Sequence, residues 1–237
     1  MVPREAVQRW RLVLSRSVVD GEQQRAQLQA WEAALAGCGL PIAGLDAATP
    51  RPRFAIAAPL AASIPGAAEL VDVWLAERLP RWRVREGLER TLPVDYRLVD
   101  VFDVWPGEAP LPGQVVASVY RAALGGGSTG RAFVDVAALR DVATAMLAAA
   151  SLSRARRKGE TTVTYDLRPF LDALEVIEDP ERGVSVRMTL RHDPEKGVGR
   201  PEEVLGELGD RLGKPFEPVS LVRERLVLAS DRRRGRG

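Results

Sequence analysis

The stretch Gly125-Gly126-Gly127-Ser128-Thr129-Gly130-Arg131 comes nearest to a known piece of chemistry in residue type and spacing. It lies between an expected strand (Val115 to Tyr120) and an expected helix (Val136 to Met146), where a phosphate-binding loop would sit. That chemistry needs a lysine to reach the terminal phosphates and a serine or threonine to hold magnesium. The corresponding positions here are Arg131 and Ala132. Arginine does not replace that lysine neutrally, and alanine cannot ligate a metal. The glycine cluster is therefore read as a connection between strand and helix. No other stretch completes a catalytic motif, so a non-catalytic protein without a cofactor is expected.

Residues that could grip an anion are more numerous. Arg51 and Arg53 flank Pro52 at the start of an expected strand, where alternation sends both to one side. Two guanidiniums on one face can hold phosphate oxygens. Arg154, Arg156, Arg157 and Lys158 gather charge at an expected hairpin tip, which reads either as an RNA contact or as a solubilising edge. Tyr165 is the nearest aromatic residue, so base stacking is not expected there. Arg168, in the run Tyr165-Asp166-Leu167-Arg168-Pro169-Phe170, completes the set of candidate phosphate contacts. Asp166 and Arg168 read equally as a structural ion pair or cap. His192, the single histidine, ends an alternating strand and is expected to be a solvated edge side chain. Cys38, the single cysteine, excludes an internal disulfide and cannot alone build a structural zinc site or hold an iron–sulfur cluster.

Those residues must be positioned by ordinary elements. With 237 residues, 46% hydrophobic and 28% charged, the chain can build one large or two small domains. The formal net charge of +2 is concentrated at the end, where "DRRRGRG" sets four arginines against one aspartate. That segment, residues 231–237, is expected to be a disordered basic tail that attracts polyanions non-specifically. No basic-then-apolar leader appears, nor any apolar run near the ~20 residues of a membrane helix, so a soluble cytoplasmic protein without a membrane partner is expected.

Trp10, Leu12 and Leu14 alternate with Arg9, Arg11 and Val13, the pattern of a half-buried strand. Asp20 and Gln23 resemble a capping box for a helix that places Leu28, Trp31 and Leu35 on one face. Strands are expected at Arg53 to Ala57 and Leu70 to Ala76, a helix at Arg81 to Arg90, and a strand at Tyr96 to Trp105. The phase of that last strand slips near Asp100, as a bulge would make it do. This βαββαβ order ends at the Pro/Gly-rich Pro106 to Gly113, the expected domain boundary. A similar order follows: a strand from Val115, a helix carrying Leu139, Val142 and Met146, and a hairpin at Leu152 to Tyr165. Strands at Leu171 to Ile177 and Val184 to Leu190, a helix from Pro201 and a strand at Leu221 to Leu228 complete it. The expected fold is α+β, with two tandem ferredoxin-like (βαββαβ) units at 1–106 and 107–230, the second with an inserted β-hairpin.

Several stretches, in order, resemble a radical SAM-linked bacterial family of unknown function. They are "WEAALAGCGLPIA" (Trp31 to Ala43), "PRPRFAIAAPLA" (Pro50 to Ala62) and "AELVDVWLAERLP" (Ala68 to Pro80), then "TVTYDLRPFLDALEV" (Thr162 to Val176), "RPEEVLGELG" (Arg200 to Gly209) and "RERLVL" (Arg223 to Leu228). The resemblance implies relatives encoded beside, or fused to, radical SAM proteins and near ribonuclease and ribosomal-protein genes. It thereby implies RNA and a radical SAM protein as partners. The chain itself lacks the CxxxCxxC of such enzymes, so any radical chemistry would belong to the partner. It departs from the family at the start of the first helix. Relatives tend to carry Ser-His-Leu-Asp and then an Arg there, where this sequence has Gln23-Gln24-Arg25-Ala26 and Gln29. The implied role is an RNA-binding or RNA-processing accessory, with a docking subunit that does not touch RNA as the alternative.

Overall fold

A computed structural model describes residues 5–18, 24–125, 135–158, 161–179, 183–213 and 215–234, with 24–25, 125, 156–158, 162 and 232–234 by backbone alone. Gly126 to Arg131 and the capping-box residues Asp20 and Gln23 lie outside the described residues. The architecture is mixed α+β. Two compact units divide the chain: Met1–Val115 with Leu228–Gly237, and Val116–Val227.

In the first unit the alternation of Trp10, Leu12 and Leu14 forms β1 (Gln8–Arg16). After it come α1 (Gln24–Gly37), β2 (Phe54–Ile56), β3 (Gly66–Leu75), α2 (Arg81–Glu89) and β4 (Tyr96–Val104). β1 pairs antiparallel with both β3 and β4, and β2 pairs antiparallel with β3, so the strands lie in the order β2-β3-β1-β4. Trp31 and Leu35 of α1 and Val84 and Leu88 of α2 bury against Trp10, Leu12, Leu14, Val71, Val73 and Val101. Each such side chain contributes about 1.5–3 kcal/mol through burial. Leu28, expected on the same helix face, is exposed, so the buried stripe of α1 begins at Trp31. The phase slip near Asp100 is a bulge: Val13 faces Asp100 while Leu14 faces Leu98, leaving Val99 as the extra residue. A one-turn helix, α3 (Leu111–Gln114), sits in the Pro/Gly-rich stretch that follows.

The second unit begins with β5 (Val115–Gly125) and α4 (Val136–Ala148), whose N-cap Asp135 accepts from the Ala138 amide at 3.1 Å. β6 (Ser153–Lys158) and β7 (Thr161–Asp166) form a separate antiparallel hairpin. A 3-10 turn at Arg168–Phe170 leads into β8 (Leu171–Asp179), β9 (Gly183–Asp193), β10 (Gly197–Val198), α5 (Pro201–Leu212) and β11 (Ser220–Leu228). The sheet order is β8-β9-β5-β11, with β10 pairing the last two residues of β9. Proline at N1, Glu202 and Glu203 in the first turn and a left-handed Gly213 (φ 67°) fix the two ends of α5. α4 packs on β8 and α5, burying Leu139 and Met146, and Val204 and Leu208 of α5 are likewise buried. A last helix, α6 (Ala229–Arg234), belongs to the first unit and runs into the stretch expected as a disordered tail.

Candidate anion-binding residues

Arg51 and Arg53 belong to the first unit and the other five candidates to the second. The segment carrying the first two is pinned from both sides. The Arg51 amide donates to the Gly44 carbonyl at 3.1 Å and the Arg53 amide to the Ala43 carbonyl at 2.8 Å. On the opposite edge the Trp74 amide donates to the Arg53 carbonyl at 3.1 Å. Gly44 is required there: its φ is 91°, and a Cβ would collide with the Arg51 carbonyl. Both arginine side chains are exposed. The Arg53 guanidinium lies 4.9 Å from the centre of the Trp74 ring, a cation–π contact that restricts its wandering. Among the described residues neither arginine has a carboxylate partner.

Arg154 has three. Glu203, Glu207 and Asp210 share one face of α5 and meet its guanidinium, Glu203 at 3.6 Å, Glu207 at 3.2 Å and Asp210 in direct hydrogen bonding. The guanidinium reaches them by lying on the bare helix surface at Gly206, where a Cβ would stand 2.6 Å from Nη2. Arg156, Arg157 and Lys158 lie in β6, in register with Val163, Thr162 and Thr161. Arg168 is spent on backbone: Nε and Nη2 donate to the Leu147 carbonyl at 3.1 and 2.7 Å, and Nη1 to the Leu171 carbonyl at 2.8 Å. It thus caps the C-terminal end of α4, where unpaired carbonyls favour a cation. Asp166 accepts from the Leu152 amide at 2.7 Å and the Arg168 amide at 2.9 Å. The Leu152 bond above all, with that from Arg168, holds its carboxyl below the usual carboxylate range. Asp166 and Arg168 are therefore chain-positioning caps.

Two arrangements were not legible as sites. Arg9 and Arg11 alternate with the apolar residues of β1 and look like its solvent face, yet they are 1% and 4% exposed. The strand is buried on both faces, which corrects the half-buried reading. The cause is Asp72 on β3, directly opposite Arg11 and 0% exposed. Its Oδ2 accepts from Arg9 Nε at 2.8 Å and Arg11 Nη2 at 3.0 Å, and its Oδ1 from Arg11 Nε at 2.8 Å. Arg9 also donates to the Glu108 and Ala109 carbonyls at 2.7 and 3.0 Å. The one signal in the sequence was an aspartate inside the apolar run "LVDVWL".

His192 is the second correction. It is not a solvated edge residue, because β10 pairs Val198 with it on one side of β9 and β5 flanks the other. Its Nε2 lies 2.8 Å from the fully buried Ser118 hydroxyl. Burial first, and the Arg223 charge second, push its pKa down to about 4, so the imidazole is neutral at neutral pH. A nucleophilic serine–histidine pair needs a carboxylate to stabilise the imidazolium, and a guanidinium beside it does the reverse. Cys38 is buried with its thiol donating to the Leu35 carbonyl at 3.1 Å, and burial pushes its pKa up. Among the described residues no group of three or more His, Cys, Asp or Glu could hold a metal ion, and no helix is long and apolar enough to cross a membrane.

An α+β chain with this element order, carrying pinned arginines, matches one family model over residues 26–201. It belongs to that family, described as an uncharacterized protein conserved in bacteria (DUF2344). No curated protein matches the sequence. Among solved structures it is similar to a chain of the crystal structure of a Cbf5-Nop10-Gar1 complex, at 11% identity and a TM-score of 0.45. That alignment covers 92% of this chain and 48% of the other, so this chain spans about half the length of the solved one.

Proposed function

We propose that the protein is a non-catalytic RNA-binding accessory of a radical SAM enzyme in the bacterial cytoplasm. The observation that carries the reading is the pinned pair Arg51 and Arg53: exposed, free of carboxylate partners and, at Arg53, held against Trp74. Guanidiniums ordered in this way meet phosphate oxygens with less loss of side-chain freedom than mobile surface arginines. The radical SAM partner comes from the sequence resemblance, and its iron–sulfur chemistry would be wholly the partner's. Each unit is read as ferredoxin-like. Strand orders β2-β3-β1-β4 and β8-β9-β5-β11, each with a helix after its first and third strands, support that reading, and β6–β7 is then the inserted hairpin. The test is fluorescence anisotropy with tRNA and rRNA fragments across a salt series. Binding that weakens steeply with salt and drops in Arg51→Ala/Arg53→Ala supports the reading, and absence of binding at low salt removes it.

A second reading, a subunit that docks on the enzyme without touching RNA, is favoured by exposed aromatics in the first unit. Trp105 is 74%, Trp82 65% and Phe102 43% exposed, and Phe102 lies in β4, whose only described strand neighbour is β1. Stoichiometric co-purification with the enzyme, lost in Trp82→Ser/Trp105→Ser, distinguishes it.

A further inference from the structure

The second unit holds a cavity of about 490 Å³ lined by Tyr165, Phe170, Lys196, Gly197, Val198 and Arg200. Its walls are built by a short run of local necessities. Asp193 accepts from the Glu195 and Lys196 amides, both at 2.9 Å, and so closes the turn that presents Lys196. Those two bonds, that from Lys196 first, hold the Asp193 carboxyl below its ordinary range, and the Lys196 and Arg191 charges add to the effect. Gly197 takes φ 102°, open to glycine at no steric cost. Gly199 then passes so close to the 3-10 turn that a Cβ would lie 2.9 Å from Phe170 Cβ. That approach sets Phe170 and Arg200 around one space, with Tyr165 reaching it from β7.

The lining combines one half-exposed aromatic ring, Tyr165, with two cations that make no ion pair among the described residues, over a floor to which the buried Phe170 belongs. Glu203, in the first turn of α5, is engaged by Arg154. An inorganic anion would use the cations and leave the ring idle. An apolar ligand would do the opposite. An acidic peptide would answer the charges without the flat surface that a ring favours. A nucleotide uses both: its base stacks on an aromatic side chain and its phosphate meets Lys and Arg. The volume falls in the range of small-ligand sites.

We propose that this cavity binds a nucleotide, the base against Tyr165 and the phosphate on Lys196 and Arg200, and that it receives an unpaired nucleotide of an RNA strand. The RNA part rests on the function proposed above; the nucleotide part does not. It also revises the sequence-based expectation that stacking is absent, because Tyr165 comes to share a space with Lys196 and Arg200 only when Gly199 brings the turn before α5 onto Phe170.

The experiment measures binding of a short labelled single-stranded oligoribonucleotide, the same strand in a duplex, and unlabelled inorganic polyphosphate as competitor. Titration of AMP and UMP is followed by ligand-observed NMR. The proteins are full-length wild type, Tyr165→Ala, Tyr165→Phe, Lys196→Ala/Arg200→Ala and Arg51→Ala/Arg53→Ala. Circular dichroism checks that each is folded. Single-strand affinity is expected to fall about tenfold in Tyr165→Ala and to survive in Tyr165→Phe. Loss of both cations should lower the salt slope by about 0.7 per phosphate contact. Polyphosphate affinity should be unchanged by Tyr165→Ala. If RNA binds and responds to Arg51→Ala/Arg53→Ala but to neither cavity variant, the cavity proposal is overturned and the RNA reading stands. If no RNA binds yet AMP or UMP does, with loss in Tyr165→Ala, the cavity is a nucleotide site and the RNA reading falls. If neither RNA nor mononucleotide binds, both fall.

Discussion

Two arginines meet the same tryptophan, and the pairs to which they belong have opposite fates. Arg9 and Arg53 each lie 4.9 Å from the Trp74 ring, one from β1 and the other from the segment just before β2. Arg9 and its neighbour Arg11 are buried around Asp72, whereas Arg51 and Arg53 are open to solvent. What separates them is one carboxylate. A buried guanidinium without a partner is costly, so Asp72 is the condition for closing that face of the sheet. Where neither an acid nor a set of backbone carbonyls, such as those that hold Arg168, is supplied, the arginine stays outside and remains available to a phosphate. Counting basic residues therefore says little about an anion site; counting the acids within reach of each says more. Arg154, with three acids, falls on the structural side of the line although the sequence groups it with the hairpin charges.

The sharpest way to break this comparison is Asp72→Asn, which leaves two guanidiniums buried against a neutral amide. The expected loss is about 3–5 kcal/mol, read by denaturant unfolding. A loss below 1 kcal/mol would mean that the buried pair is compensated elsewhere. Arg154→Ala should cost about 1–2 kcal/mol, since three acids along one helix face then repel each other at a partly solvated site. Its affinity for RNA should match wild type.

His192 extends the comparison to a group that stays neutral because burial first, and a neighbouring cation second, disfavour its charged form. Its pKa is depressed from 6.5 to about 4, so the folded state favours the unprotonated ring. The stability this gives is fully present above pH 6.5 and is lost as pH falls from 6.5 to about 4. Unfolding measured across that window should show wild type losing stability relative to His192→Gln, with parallel curves above it. The smallest effect on folding is expected for Arg51→Ala/Arg53→Ala, within about 0.5 kcal/mol of wild type, as for exposed side chains generally. A larger loss would move this pair to the structural side as well.

The alternation in β1, the stop at Gly213, the N1 proline of α5 and even the β4 bulge were legible in the sequence, because each is a local constraint written within a few residues. Burial of Arg9 and Arg11 was not, since it depends on Asp72, which lies 63 positions from Arg9. The neutral His192 was missed for the same reason: whether a strand end is an edge is decided by which other strands arrive beside it. The cavity around Tyr165 and Lys196 depends on a glycine whose lack of a side chain matters only against Phe170. Local chemistry can be read along the chain, but the pairing of distant residues needs the register.

The β4 bulge has a bearing on how this chain can change length. Leu98 faces inward on one side of Val99, and Val101 does so on the other after Asp100. Removing Val99 would leave Leu98, Asp100 and Val101 in plain alternation, with every side chain still on its present face. A one-codon deletion there should be silent to the fold. Deleting Phe102 instead would carry Asp103 off the face it shares with Gln8 and Trp10, breaking its bond to Gln8, and would move Val104 away from the face of Arg9. Strand β4 thus carries its own expansion joint, one residue wide and at one address.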